Sequence, residues 1–296
     1  MATADGHDQP VEPSVVNLRR LEGGFLHLPM RLFVQGANTD EVRRVPCMAW
    51  LIENHNLKKK VLFDMGVRKD VESYTPAVFR RMQTTVKAEV PEDIYDSLGK
   101  MQIDPQSDVD AVIFSHLHYD HVGDPSRMGT QTSFVLGPGA IDLIKGPGAY
   151  PENPNSHYDS NLITKGRILN LPSADSSSWV AFGPFPKTYD YFHDGSLLIV
   201  LAPGHCPGHI NALLRIESDR WVYLAGDTAH DRRLLDGTKQ IAEYWDDDTG
   251  GFKCAHIDKN EAALHIQRVR ELKNYINVEV ILSHDGDWLH SNEHRF

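Results

Sequence analysis

After an apolar run at residues 109–114 the chain reads Ser115-His116-Leu117-His118-Tyr119-Asp120-His121-Val122-Gly123-Asp124. Val109, Ala111, Val112, Ile113 and Phe114 have the composition of a buried strand. His116, His118, Asp120 and His121 therefore fall within six residues, where that strand ends and the chain turns. Side chains two apart on extended backbone share a face, so His116 and His118 can converge on one cation. Asp120 and His121 lie on the turn, within reach of a second. Neutral imidazoles with a carboxylate suit zinc or a similar divalent transition metal.

The same arrangement recurs. An apolar run at 196–202 ends in Pro203-Gly204-His205-Cys206-Pro207-Gly208-His209, a run at 221–225 ends in Gly226-Asp227, and a run at 278–282 ends in Ser283-His284-Asp285. Four strands thus end in a metal-competent group, the pattern of strand-end loops meeting along one edge of a sheet system. Residues 45–52 and 61–63 read as a hairpin ending in Asp64-Met65-Gly66. Residues 76–100 read as helical, with Pro91 opening a second segment. In 258–275, Ala262, Ala263, Ile266, Val269, Leu272 and Tyr275 recur near helical spacing. Residues 1–14 read as a flexible N-terminal tail. Residues 15–296 read as a single catalytic domain, with a loop-rich insertion at about 137–194.

Composition narrows the partners. A chain of 296 residues can bury a full core. Its formal net charge of −11 argues against nucleic acid, which favours a basic face, and gives no reason to expect an anionic membrane. Three widely spaced cysteines, Cys47, Cys206 and Cys254, form neither a disulfide framework nor a thiolate zinc knuckle. The first ten residues lack the basic and apolar regions of a secretory signal, so a cytoplasmic location is expected.

These motifs together resemble the metallo-β-lactamase-fold superfamily, over about residues 45–290. The resemblance rests on Phe63-Asp64-Met65-Gly66, His116-x-His118-x-Asp120-His121, Pro203-Gly204-His205, Gly226-Asp227 and Ser283-His284-Asp285. It implies an α+β fold, a four-layer αββα sandwich with its metal site along one edge. Within the superfamily the chain looks closest to the N-acyl homoserine lactonase branch, which includes fungal relatives that open lactams and cyclic carbamates. Carried over by motif, His116, His118 and His205 would bind one metal, and Asp120, His121 and His284 the other. Asp227 would bridge them with a hydroxide. Two Zn2+ are implied, and the same ligands accept Mn, Fe or Co. Asp120 has a second implied role as a proton shuttle.

The expected function is a zinc-dependent hydrolase that opens a small cyclic ester, lactam or cyclic carbamate in catabolism or detoxification. A thioesterase of glyoxalase II or polyketide-releasing type is the alternative, followed by a mononuclear iron persulfide dioxygenase. One departure stands out: lactonases carry a tyrosine three residues after the bridging aspartate, where this chain has His230. His230 is expected to donate to a developing oxyanion or to a leaving amine. His209 is read as a structural histidine, Asp64 as a group that orients a ligand, and Cys206 as inert. His290 and His294 fall in a polar tail, and Arg80, Arg81 and Lys145 read as solvated charges. Trp179, Phe182, Phe185, Tyr189, Tyr191 and Phe192 are read as a pocket wall, as packing of the insertion, or as the contact of a homodimer.

Overall fold

The computed structural model describes residues 13–164, 166–246 and 250–296. The tail expected at 1–14 lies outside the described residues except for its last two. One six-stranded sheet runs, in spatial order, β1 (Asn17–Leu21), β4 (Ala49–Asn54), β5 (Lys59–Phe63), β7 (Ala111–Ile113), β8 (Ser133–Leu136) and β9 (Arg167–Asn170). The other runs β10 (Val180–Phe182), β11 (Phe185–Asp190), β12 (Leu197–Leu201), β13 (Ile210–Arg215), β14 (Arg220–Leu224) and β17 (Asn277–Ile281). A small sheet joins β3 (Val42–Pro46), β2 (Phe25–Pro29) and β6 (Lys87–Glu89), and β15 (Tyr244–Asp246) pairs with β16 (Gly251–Lys253).

Side chains alternate along a strand, and here both alternates are buried. Trp50, Ile52, Val61, Phe63 and Ile113 of the first sheet meet Leu197, Ile199, Ala212, Leu214 and Val222 of the second in one core. The intervening Leu51, Leu62 and Val112 join a second core with residues of α2 (Ile94–Lys100) and α4 (Ile141–Lys145). Leu198, Val200, Leu213 and Tyr223 join a third with α6 (Lys259–Glu271). Two sheets face to face, each with helices outside, make the αββα sandwich, and double-sided burial explains why the strands read as unbroken apolar runs.

Several boundaries differ from the sequence reading for local reasons. The run at 45–52 is two strands: the Cys47 N–H donates to the Gly24 carbonyl (2.9 Å) and the Met48 N–H to Ser283 (3.1 Å), so the chain changes sheets there. The helical stretch 76–100 divides into α1 (Pro76–Thr84) and α2 around β6, and α2 is opened by the Asp93 capping box rather than by Pro91. In α6 the Asp258 carboxylate caps Asn260 and Glu261, and Ala262, His265, Ile266 and Val269 form the buried face. Ala263 and Tyr275 are exposed, Tyr275 because a 3-10 turn at Leu272–Asn274 ends the helical spacing. The stretch 137–194 supplies β9, β10 and β11, outer strands of both large sheets. Among the described residues no helix is long and apolar enough to cross a membrane.

Strand direction positions the site. β5 and β7 are parallel, as are β14 and β17, while β12 lies two antiparallel steps from β14 and shares its direction. The segments leaving these strands carry Asp64, Ser115-His116, His205, Asp227 and His284.

Candidate metal centre

All seven residues expected to hold metal meet at this edge, six of them buried and His118 partly so. His116 Nε2 and His205 Nε2 lie 2.9 and 3.0 Å from His118 Nδ1. The Asp227 carboxylate stands between two groups. Its Oδ2 is 3.3 Å from His205 Nε2, 3.6 Å from His116 Nε2 and 3.0 Å from His230 Nε2. Its Oδ1 is 3.2 Å from His121 Nε2 and 3.3 Å from His284 Nε2. Asp120 Oδ2 completes the second group, 3.3 Å from His284 Nε2 and 3.8 Å from His121 Nε2.

The local backbone makes this convergence possible. His118 ends extended backbone at the N-terminus of the single turn α3 (Tyr119–Val122), which carries Asp120 and brings the His121 ring centroid to 4.0 Å from that of His116. Gly204 takes a φ of +119°, and a Cβ there would stand 2.3 Å from the Ala262 nitrogen. Only glycine lets the Pro203-Gly204-His205 turn lie against the start of α6.

A second tier of hydrogen bonds aims the rings. Asp64 Oδ1 accepts from the Ser115 N–H (2.7 Å), while Oδ2 accepts from Ser115 Oγ (2.7 Å) and His121 Nδ1–H (2.8 Å). His284 Nδ1–H donates to the Pro46 carbonyl (2.8 Å), which turns Nε2 toward the cluster. His209 Nδ1–H donates to the Ala202 carbonyl (2.8 Å), and its Nε2 accepts from the Asp227 N–H (3.1 Å). His209 thus holds the Asp227 backbone and lends no atom to the cluster. His290 and His294 are exposed and join none of the ligand groups.

Protonation follows burial and charge. Burial, joined by the charges of the neighbouring rings, pushes His116 well below its ordinary value, and burial takes His118 down to about 4. Burial opposes the charged forms of His121 and His284 too, but Asp227 and the other facing carboxylates hold both well above the ordinary value. Burial also works against ionised Asp120, which His121 and His284 nevertheless hold down to about 2.

The donor set fits divalent cations. Among the described residues four groups have all their ligand atoms within 4.8 Å of one another: His116, His118, His205 and Cys206; His116, His121 and Asp227; Cys47, Asp120 and His284; and His205, Asp227 and His230. Ligands about 2.0–2.1 Å from a tetrahedral zinc would stand roughly 3.3–3.4 Å apart, which is the spacing seen around Asp227. His121 Nε2 and Asp227 Oδ1 are buried and 3.2 Å apart without a well-aligned hydrogen bond, and such atoms are costly unless a shared partner satisfies them. Cys206 and Cys47 each belong to one of these groups, a proximity that the absence of a CxxC motif concealed. Burial pushes both thiols up.

A cavity of about 340 Å³ opens over the cluster, lined by His118, Asp120, His205, Asp227 and His230 and by Leu26, Leu28, Phe33, Arg81, Tyr119, Tyr244 and Lys253 among others. His230 is buried, with its ring centroid 4.6 Å from that of Phe33. The aromatic residues at 179–192 are absent from this wall. Phe182 packs on Trp221 (5.6 Å), Phe185 stacks on Tyr223 (5.3 Å) and Trp179 tilts against Tyr189 (5.8 Å), so these three serve packing. Sequence reasoning also missed His256. It is buried with both ring nitrogens unpartnered, and its ring centroid lies 5.1 Å from that of His205 and 5.4 Å from that of His230. Nothing in the segment Cys254-Ala255-His256 marks it as a strand end.

Comparison with known proteins agrees with this geometry. The model of the metallo-beta-lactamase superfamily matches residues 42–275. The chain is 32% identical to the protein named cytochrome P450 monooxygenase mpaDE of Penicillium roqueforti over 94% of its own length but only 34% of the relative's, so it spans about a third of that protein. It is 36% identical to gamma-lactamase MBL2 of Gibberella moniliformis, over 57% of this chain and 70% of the relative. A solved structure of a B. thuringiensis AiiA variant with N-decanoyl-L-homoserine bound superposes with a TM-score of 0.68, covering 94% of this chain and 96% of that one at 17% identity, a likeness of fold. By its matched family model, its fold and its strand-end motifs, the chain belongs to the metallo-beta-lactamase superfamily.

Proposed function

We propose that this protein is a dinuclear metal-dependent hydrolase that opens a small cyclic ester, lactam or cyclic carbamate. The observation that carries the reading is the division of Asp227, whose two oxygens face two separate sets of imidazoles. In this assignment His116, His118 and His205 hold one cation, Asp120, His121 and His284 hold the other, and Asp227 serves both. Bound at such a site, two zinc ions supply Lewis acidity and a water acidified enough to attack near neutral pH.

The chain's own groups position and move protons. His230, 3.0 Å from Asp227 Oδ2 and in the cavity wall, stands on the side of His205 and donates to an oxygen developing there. Asp120 also lines the cavity, where its carboxylate is placed to serve as a proton shuttle during ring opening. Leu26, Leu28 and Phe33 keep bulk water from this face of the cavity. The relatives named above include a gamma-lactamase and a structure with an acyl homoserine bound, which favours ring opening over thioester cleavage.

Metal analysis of purified protein, joined to a panel of lactones, aryl lactams, cyclic carbamates and thioesters, tests the proposal. About two divalent ions per chain are expected, with ring opening lost on chelation and restored by zinc. One iron per chain with oxygen consumption on a persulfide would overturn it.

A further inference from the structure

Arg81 is partly buried at the end of α1 that faces the metal cluster's cavity. It follows Ala77 by four residues and Val78 by three, so it borders the buried face of α1, whereas Arg80 is exposed. Its side chain lies in the wall of the cavity over the metal cluster. Among the described residues the guanidinium has no ion pair, no side-chain hydrogen bond and no aromatic ring beneath it. Lys253, the other cation of that wall, is neutralised by Asp246 at 2.9 Å. His157, also in the wall, is lowered by burial and then by the Arg81 charge. Arg81, read from the sequence as a solvated charge, is partly buried and lines the cavity.

We propose that Arg81 determines substrate specificity by pairing with a carboxylate that the substrate carries away from the bond that is cut. The preferred substrates are thus cyclic esters or amides bearing a free acid. Five N–H donors in a planar fork match a carboxylate, and an otherwise unpartnered guanidinium has no partner to give up. This inference rests on the hydrolase reading for the bond cleaved, but the binding of the acid is separable from it.

The test uses the metal-loaded full chain. Chroman-2-one and chroman-2-one-6-carboxylate serve as substrates, and 2-tetralone and 2-tetralone-6-carboxylate serve as unreactive ligands followed by calorimetry. The protein should favour the acid of each pair by about tenfold or more, in KM and in Kd. R81Q should bring both ratios to about one, and R81K should keep part of the preference. R80Q removes the same charge from the exposed neighbour and should keep the full ratio. Metal content and circular dichroism report whether each variant is folded, and R81K carries the comparison if R81Q is not. Retention of the preference in R81Q, or no preference in the parent protein, overturns the inference. Acid binding through Arg81 without any ring opening sinks the hydrolase reading instead.

Discussion

Replacing Asp64 by asparagine perturbs the metal cluster without touching a ligand. Asp64 has a φ of +62°, a left-handed conformation that asparagine tolerates as aspartate does, so the backbone is spared. Its Oδ2 accepts from His121 Nδ1–H at 2.8 Å, which leaves Nε2 facing Asp227 Oδ1 at 3.2 Å. The amide introduced by D64N can satisfy Ser115 with its oxygen, but its nitrogen then faces His121 Nδ1 as a donor. The imidazole answers by moving its proton to Nε2, the atom needed to hold a cation. The lost interaction is a buried charge-assisted hydrogen bond, worth about 1.5–3 kcal/mol. Loss of such an orienting partner lowers metal affinity by about 10–100-fold, or roughly 1.4–2.8 kcal/mol, so the two routes agree. Competitive titration of zinc against a chromophoric chelator reads this directly, and the His121 side of the cluster should weaken most, since His116 is reached only through Ser115 Oγ. If D64N binds its second zinc as tightly as the parent protein, Asp64 does not orient His121 and the argument fails.

Other perturbations test neighbouring parts. Gly226 has a φ of +48°, and a Cβ there would stand 2.8 Å from His209 Nε2. G226A should therefore lose about 2–4 kcal/mol in urea denaturation, and an unchanged midpoint would refute the close approach. Chelation should lower the melting temperature measured by scanning calorimetry, because buried carboxylates and imidazoles lose the ions between them; equal melting with and without metal would count against a filled site. C206A should keep its full metal content, since burial pushes the thiol up and three imidazoles already serve that group. Loss of about one metal ion per chain in C206A would make the cysteine a ligand.

Much of the candidate site was legible because its chemistry is local in the chain. Four candidate ligands lie within six residues at His116-x-His118-x-Asp120-His121, and the other candidates each close an apolar strand. Strands buried on both faces leave continuous apolar runs, so the two-sheet core could be read as well. The boundaries were less legible: at Cys47 one apolar run serves two sheets, which only the hydrogen bonds to Gly24 and Ser283 reveal.

Tertiary structure alone decided the rest. Asp64 meets Ser115 across 51 residues and His121 across 57, and Pro46 meets His284 across 238. Strand pairing sets those distances, and no local pattern encodes them. The aromatic residues near 185 went to the core, because β11 lies beside β12 in a sheet whose outer face α6 covers. Residue types and spacing determined which groups could hold metal. The packing of two sheets face to face decided that one carboxylate would face two sets of imidazoles, and that Arg81 would line the cavity with no ion pair among the described residues.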